Sequence, residues 1–176
     1  LTSLVNSILD LSKLQSGASQ FELSDYDLTE SVRDIIARVG KLTEAEGYQI
    51  TVTANEQAVV HADAARIEQV LYNFLTNAVH YAGPDHQIKV RQTVHDGWVR
   101  IEVTDHGEGI PEDQLPHIWE RYYKSDKLHR RAVMGNGLGL SIVRQILEQH
   151  GARYGVDSRP GEGSTFWFEL PVIRNG

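Results

Sequence analysis

The sequence predicts an α+β fold, a two-layer α/β sandwich in which a mixed, mostly antiparallel sheet packs on three helices. Helical patterns and hairpins both occur, without the strict strand–helix alternation of a doubly wound sheet. Asp96-Gly97 separates two β-type runs, which is a strong hairpin signal. Apolar residues make up 40% of the 176 residues, enough for a packed core and too many for a disordered chain.

The first 17 residues predict a short amphipathic helix that precedes the sandwich. Apolar side chains recur there at heptad-like spacing, at Leu1, Leu4, Ile8 and Leu11. Gly17 would end this helix. It could pack on its own domain, or it could be the tail of a dimerisation helix. We favour the second interpretation, with residues 1–17 as the helix end and residues 18–176 as the domain.

The other elements follow from hydrophobic period and turn signals. Strands are predicted at 21–27, 49–54, 58–62, 88–95, 98–104, 152–158 and 164–170. Helices are predicted at 28–46, 64–81 and 138–150, with a short helix near 112–119. Asp63 is the expected N-cap of the second helix, and Gly83-Pro84 ends it.

Composition excludes several classes of function. A formal net charge of −7 argues against binding nucleic acid through its phosphates. The absence of cysteine excludes disulfides and thiolate metal sites. No apolar run approaches the roughly 20 residues of a membrane-spanning helix. Because the chain begins at Leu1 without an initiator Met, we interpret it as a cytoplasmic piece of a longer parent, which could be anchored in the plasma membrane.

Three glycine-rich elements are candidate nucleotide-binding loops. They are Asp105-His106-Gly107-Glu108-Gly109, Gly135-Asn136-Gly137-Leu138-Gly139-Leu140 and Gly161-Glu162-Gly163-Ser164-Thr165. Glycine permits close backbone approach to a ligand, and a glycine run that opens a helix presents N–H groups to phosphate. Neither the P-loop pattern nor Gly-x-Gly-x-x-Gly fits these elements. Any one of them alone could be an ordinary turn.

Asn73 and Asn77 form a fourth candidate. They lie four residues apart on a predicted helix, so they share one face. A carboxamide oxygen is a neutral ligand for Mg²⁺, which adds substrate phosphates and waters to its shell. Without further context, two surface asparagines would look the same.

These four elements, in this order, resemble the N, G1, G2 and G3 boxes of the sensor histidine kinase ATP-binding domain. The resemblance covers residues 21–171 and implies the Bergerat fold, which DNA gyrase B, Hsp90 and MutL share. The segment Ile118-Trp119-Glu120-Arg121-Tyr122-Tyr123-Lys124 is similar to the family's F box. One box is weak evidence of membership, whereas four boxes at the family's spacing are strong.

The resemblance implies roles for the base and metal sites. Asp105 would accept a hydrogen bond from the adenine amino group, and Gly107 and Gly109 would let the chain pass close to the base. Asn77 would bind Mg²⁺, with Asn73 orienting the ion or the phosphates. Further contacts to the base are implied for Tyr81 and Thr165.

The resemblance also implies a phosphate site and a mobile ATP lid at residues 123–134. The phosphates would meet backbone N–H groups in the glycine run, with contacts implied for Gly135, Gly137, Leu138, Gly139 and Leu140. Two positions depart from the family pattern. His80 stands where Lys is usual, and Lys124 stands where Arg is common. A lysine lacks the bidentate fork of arginine, so γ-phosphate contact at Lys124 is expected to be weaker.

The residue at position 73 distinguishes phosphoryl transfer from ATP hydrolysis within this fold. Gyrase-like and Hsp90-like ATPases place Glu at that position as a base for water, and an amide cannot take the proton. The resemblance therefore implies a protein-histidine kinase that uses ATP and Mg²⁺ and has Asn73 and Lys124 as catalytic residues. Two alternatives stay open, a degenerate regulatory module that binds partners and a hydrolysing ATPase.

The partners implied are the dimerisation helices of a homodimeric parent and a cognate response regulator. The family's phosphorylated His lies on the first dimerisation helix and precedes an acidic residue. Only His95 here precedes one, Asp96, but it lies at a predicted hairpin turn, and we reject it as the acceptor. The acceptor is therefore expected outside this chain.

Overall fold

The computed structural model describes residues 21–120 and 139–173. Several predicted features lie outside these residues. They are the helix at 1–17, the lid at 123–134, the F-box positions 121–124 with Lys124, and the glycine-run positions Gly135, Gly137 and Leu138.

The described chain contains seven strands and three α-helices. In chain order they are β1 Ser24–Asp27, α1 Leu28–Thr43, β2 Gln49–Ala54, β3 Val59–Ala62, α2 Ala64–Tyr81, β4 Gln87–His95, β5 Trp98–Asp105, α3 Gly139–Gln149, β6 Arg153–Arg159 and β7 Gly163–Pro171. Two 3₁₀ turns, Glu44–Glu46 and Glu112–His117, stand where the sequence predicted helix. Pro116 lies inside the second turn, and the missing proline N–H favours a short 3₁₀ segment over an α-helix there.

The main sheet has five strands in the order β2-β4-β5-β7-β6. Only β2 and β4 are parallel, and the other three neighbouring pairs are antiparallel. Strands β1 and β3 form a separate antiparallel pair. The predicted α+β sandwich with a mixed, mostly antiparallel sheet is confirmed.

Helices α1 and α2 form where an acidic cap precedes an apolar stripe. The Asp27 side chain accepts a hydrogen bond from the Glu30 N–H at 3.0 Å, and Asp63 accepts one from the Arg66 N–H at 3.2 Å. Helix α1 buries one face, which comprises Leu28, Val32, Ile35, Ile36 and Val39. Gly47, with φ of +83°, ends the turn that follows α1.

Alternation along the strands decides which polar residues face the helices. Val99, Ile101 and Val103 on β5 are buried, and the same face ends in Asp105. Directly opposite Asp105 on β7 is Ser164, and opposite Ser164 on β6 is Ser158. The helix-facing side of the sheet therefore ends in a polar row, Asp105, Ser164 and Ser158, which we call the polar row throughout.

His150 follows directly after α3 and joins the end of α3 to the start of α2 and to the residues that precede β1. Its Nδ1 lies 2.8 Å from the Ile146 carbonyl oxygen, so Nδ1 carries the proton and donates. Its Nε2 accepts the Asp63 N–H at 3.1 Å. Phe21 stacks on the imidazole at a centroid distance of 4.5 Å, and the Glu22 N–H donates to the Asp63 carboxylate at 3.0 Å.

These contacts require neutral His150, because a proton on Nε2 would face the Asp63 N–H. Burial lowers the pKa of His150, and this outweighs the opposing effects of the Ile146 hydrogen bond and the Asp63 charge. The unfolded chain therefore binds the proton more readily than the folded chain. The stabilisation that neutral His150 contributes is fully present above the ordinary histidine pKa of about 6.5. It is lost as pH falls through the lower pKa of the folded state.

When pH is lowered from about 6.5 to about 5, we expect the thermal unfolding temperature to decrease, and part of this decrease should depend on His150. His150→Gln removes the titrating ring, so its midpoint should change less over that interval, although its stability at pH 8 is lower. Differential scanning calorimetry at several pH values measures both chains. Equal pH slopes in the two proteins would contradict the assignment to His150.

Candidate functional site

The candidate site begins at Asp105, the last residue of β5. Only 3% of the residue is exposed, and its Oδ1 accepts the Gly107 N–H at 2.9 Å. An ionised carboxylate only accepts hydrogen bonds, so its surroundings must supply donors. A buried carboxylate of this kind can select a ligand that presents hydrogen-bond donors to it.

The loop after β5 lies directly against the end of α2. A Cβ at Gly107 would come within 1.8 Å of the Tyr81 carbonyl oxygen, and a Cβ at Gly83 within 2.1 Å of the His106 carbonyl oxygen. No side chain fits at either position. Gly107 was predicted for close approach to a base, and the structure gives it a second requirement, which is backbone packing on α2.

The same loop is held from the other side by the β6–β7 hairpin. Gly109 has φ of +75°, and a Cβ there would lie 2.0 Å from the Arg159 carbonyl oxygen. The Gly161 N–H donates to the Glu108 carbonyl at 2.6 Å. A Cβ at Gly163 would meet the Asp105 carbonyl oxygen at 2.1 Å. The first and third glycine-rich elements are therefore packed backbone against backbone.

An exposed pair that sequence reasoning missed reinforces this loop. His106 Nδ1 lies 2.6 Å from the Asp85 carboxylate, which follows the Gly83-Pro84 turn. The hydrogen bond from His106, with a second from the Gln87 N–H, lowers the pKa of Asp85. The pair links the loop that follows Asp105 to the end of α2. The sequence offered only the turn signal, because the pairing spans 21 residues.

The structure places Thr165, which was predicted to contact the base, on the opposite face of the sheet from Asp105. Thr165 pairs with Thr104 on the outer face of the sheet, and their hydroxyl oxygens lie 2.9 Å apart. Thr165 therefore points away from Asp105. Ser164, one residue earlier, is buried on the same face as Asp105. The period-2 alternation that makes Phe166 and Phe168 core residues also places Ser164 on the buried face.

Helix α2 presents both predicted asparagines beside a buried stripe. Asn73 and Asn77 are half-buried, while Val70, Phe74 and Ala78 pack into the core. Neither carboxamide hydrogen-bonds another residue within 21–120 or 139–173. The Asn73 Oδ1 lies 3.9 Å from the point that a Cβ of Gly139 would occupy. Helix α3 thus begins beside the asparagine face.

The start of α3 supplies hydrogen-bond donors to the same region. Gly139 and Leu140 are the first two residues of this 11-residue helix and are half-buried. The first N–H groups of a helix have no partner within it and carry the positive end of the dipole. An anionic group beside Asn73 would meet these donors.

His80 and Tyr81 complete the α2 side of the site. The His80 ring meets Tyr81 edge-to-face at a centroid distance of 5.5 Å. Its Nε2 is buried and has no hydrogen-bond partner in the part of the chain that the structure describes. A buried polar atom left without a partner costs about 1–3 kcal/mol. A ligand group that bonds this nitrogen would remove that cost.

Trp119 anchors the chain where the predicted F box begins. Its ring contacts Phe74 on α2, Phe166 on β7 and Tyr154 on β6, with centroid distances of 6.5, 5.8 and 5.0 Å. Phe74 lies between the two asparagines in sequence. These three ring contacts fix Trp119 on the core.

The family comparison agrees with this architecture. Residues 62–174 match the family described as histidine kinase-, DNA gyrase B-, and HSP90-like ATPase. The chain belongs to this family. The match covers α2 with its asparagines, the loop after Asp105, and the β6–β7 hairpin.

Relatives of this ATPase-family domain include sensor kinases. The sensor histidine kinase YkoH of Bacillus subtilis is 34% identical over 176 residues, which is 100% of this chain and 38% of YkoH. Full-length ShkA, solved in complex with AMPPNP, has a TM-score of 0.85 at 29% identity, covering 99% of this chain and 36% of ShkA. The catalytic domain of the histidine kinase ThkA has a TM-score of 0.75 at 29% identity, covering 86% of this chain and 96% of that domain.

The chain therefore spans well under half the length of YkoH and ShkA but nearly all of the ThkA catalytic domain. Within residues 21–120 and 139–173, no helix combines the length and apolar character needed to cross a bilayer.

Proposed function

We propose that the chain is the ATP-binding catalytic domain of a two-component sensor histidine kinase. The observation that carries the proposal is the position of buried Asp105, at the sheet end beside a glycine-held loop that packs on the end of α2, the helix that carries both asparagines. Helix α3 begins beside Asn73, so donors for phosphate lie next to the asparagines. The names of the relatives point to the same activity.

Asp105 would recognise adenine through its exocyclic amino group. A carboxylate accepts this hydrogen bond strongly because the bond is charge-assisted. Guanine carries a carbonyl at the same ring position, and two acceptors would face each other. Tyr81 and the backbone at Gly107 and Gly109 would flank the base.

Mg²⁺ would be held by Asn77 together with nucleotide phosphates. No group of three or more His, Asp or Glu side chains in the described ranges could bind a metal ion by itself. The half-buried Asn77 amide suits an ion that takes one or two protein ligands and completes its shell with phosphates and water. Bound Mg²⁺ neutralises charge on the phosphates during transfer.

The phosphates themselves would meet donors from α2 and α3. Asn73 and His80 Nε2 would contact them from α2, and the N–H groups of Gly139 and Leu140 would contact them from α3. We extend this site to Gly135, Gly137, Leu138 and Lys124, on the resemblance alone. The roles assigned to all these residues are proposals.

The side chain at position 73 favours phosphoryl transfer over hydrolysis. An asparagine amide cannot accept a proton from water, so a bound water would not be activated there. An imidazole nucleophile needs no such base. Catalysis would then rest on positioning and charge neutralisation, with Asn73 and Lys124 contacting the phosphates.

The acceptor and the partners would lie elsewhere. The isolated chain would lack its phospho-acceptor His, which belongs to a dimerisation helix of a homodimeric parent on the cytoplasmic side of the membrane. Residues 1–17 would be the end of the second dimerisation helix, and residues 18–176 the catalytic domain. A cognate response regulator would then take the phosphoryl group.

Incubation with Mg²⁺, γ-labelled ATP and the parent's dimerisation hairpin tests the proposal. We expect acid-labile, base-stable label on a histidine of the hairpin and little free phosphate. Asn77→Ala should reduce labelling at least tenfold because it removes the Mg²⁺ ligand. Thr76→Ala is the matched control, since Thr76 is exposed on the same helix and its hydroxyl donates to carbonyls of α2 itself.

Two other outcomes identify the alternatives. Rapid phosphate release without label on the hairpin would indicate a hydrolysing ATPase. A chain that binds no adenine nucleotide in calorimetry would be a regulatory module of the same fold. Either result contradicts the kinase proposal.

A further inference from the structure

Ser158 on β6 has three hydrogen-bond contacts within the polar row and its neighbouring loop. Its Oγ accepts the Ile110 N–H at 2.8 Å and lies 2.9 Å from the Gly163 carbonyl oxygen. It also lies 2.8 Å from the Ser164 Oγ. One hydroxyl thus links the loop after Asp105 to the start of β7. The sequence analysis assigned no role to Ser158.

The chemistry of these partners fixes where the protons go. A hydroxyl has one proton to donate and two lone pairs to accept with. The Gly163 carbonyl can only accept, so Ser158 donates its proton there. The Ile110 N–H can only donate. The remaining contact is a hydrogen bond only when Ser164 donates its own proton to Ser158.

Ser164 is therefore left as an acceptor toward any ligand beside Asp105. Its proton is used by Ser158, and its lone pairs remain. Ser164 and Asp105 are directly opposite on neighbouring strands and buried on the same face. Two neighbouring side chains then offer only acceptors to a bound base.

We propose that Ser158 is a positioning residue that fixes the Ser164 hydroxyl as an acceptor and thereby strengthens selection of adenine over 6-oxopurines. The inference rests on the proposed function and adds a residue that determines base specificity. Adenine presents an amino donor at ring position 6. Hypoxanthine presents a carbonyl there, which would face acceptors from both Asp105 and Ser164.

Removing Ser158 releases this constraint. In Ser158→Ala the Ser164 proton has no acceptor on β6, so the hydroxyl can rotate and donate to a 6-oxo group. Hypoxanthine nucleotides should then lose less affinity than adenine nucleotides, or gain some. A purely structural role for Ser158 would weaken both nucleotides by the same factor.

Calorimetric titration with ADP and with IDP measures the affinity ratio. We expect the wild-type chain to prefer ADP and Ser158→Ala to reduce that preference about tenfold, the effect of one hydrogen bond of about 1.4 kcal/mol. Ser158→Thr keeps the hydroxyl and should keep the ratio. Thr104→Val is the matched control, because it removes one hydroxyl and breaks a hydroxyl–hydroxyl contact on the other face of the sheet.

Ser164→Ala supplies an independent measurement. It should also reduce the preference for ADP, and adding Ser158→Ala to it should change the ratio no further, because the two hydroxyls act as one unit. If Ser158→Ala fails to fold, an unchanged ratio in Ser164→Ala overturns the inference, and a reduced ratio supports it.

The failures of the two proposals are distinguishable. A wild-type chain that binds neither nucleotide contradicts the proposed function and this inference with it. The other outcome is that the wild-type chain prefers ADP and that Ser158→Ala raises both dissociation constants by the same factor. The proposed function then stands. That second result overturns only the role of Ser158.

Discussion

Asp105→Asn should weaken ADP binding about 100-fold, which corresponds to about 2.7 kcal/mol. In the wild-type chain the carboxylate has two acceptor oxygens, and one of them already holds the Gly107 N–H at 2.9 Å. Asparagine has a single acceptor oxygen and an NH₂ group. When its oxygen keeps the Gly107 bond, the NH₂ group faces the adenine amino group, and two donors oppose each other.

Calorimetric titration with ADP and Mg²⁺ measures the loss, and circular dichroism checks that the variant is folded. Asp157→Asn is a matched control, because Asp157 has the same side chain on an exposed position of β6. It should leave affinity within about twofold, since Asp157 is exposed and its ion pair with Arg100 is long, at 3.8 Å. Full ADP affinity in Asp105→Asn would show that the base binds elsewhere.

Much of this fold follows from local sequence signals. The predicted bounds of β2 and α2 agree with the structure at both ends, because turn residues, an Asp cap and a clear period coincide there. The short helix at Glu112–His117 became a 3₁₀ turn, because Pro116 removes a backbone donor. Longer-range pairing was not predictable, so the separation of β1 and β3 from the main sheet came only with the structure.

The candidate site shows the same division between local and distant information. Asp105, Asn73 and Asn77 were identifiable because each lies in a recognisable short pattern. The contact of Thr165 with the base stays a prediction. The short pattern gives residue types and not orientation, and the structure places Ser164 rather than Thr165 on the same strand face as Asp105. The His106–Asp85 pair and the Ser158 contacts depend on loops that meet across 21 and 48 residues. No single stretch of sequence contains such contacts.

Gly107→Ala should have the second large effect, on stability as well as binding. We expect it to reduce the free energy of unfolding by about 3 kcal/mol, at the upper end for an overpacked site. The added methyl would lie 1.8 Å from the Tyr81 carbonyl oxygen and 3.0 Å from Asp105 Oδ1. A backbone carbonyl at a helix end cannot move aside as a flexible side chain can, so the loop must shift.

Urea unfolding of Gly107→Ala against Gly40→Ala isolates this contact from the general effect of adding a methyl group. Nothing lies within 4 Å of a Cβ at Gly40, which is inside α1, so alanine there should stabilise by about 0.5–1 kcal/mol. Displacing the loop would also break the Gly107 N–H bond to Asp105, so ADP affinity should fall in Gly107→Ala even where it is fully folded. Unchanged stability and affinity would mean that the loop relaxes without cost. The glycine would then be required neither for backbone packing on α2 nor for the close approach of a ligand.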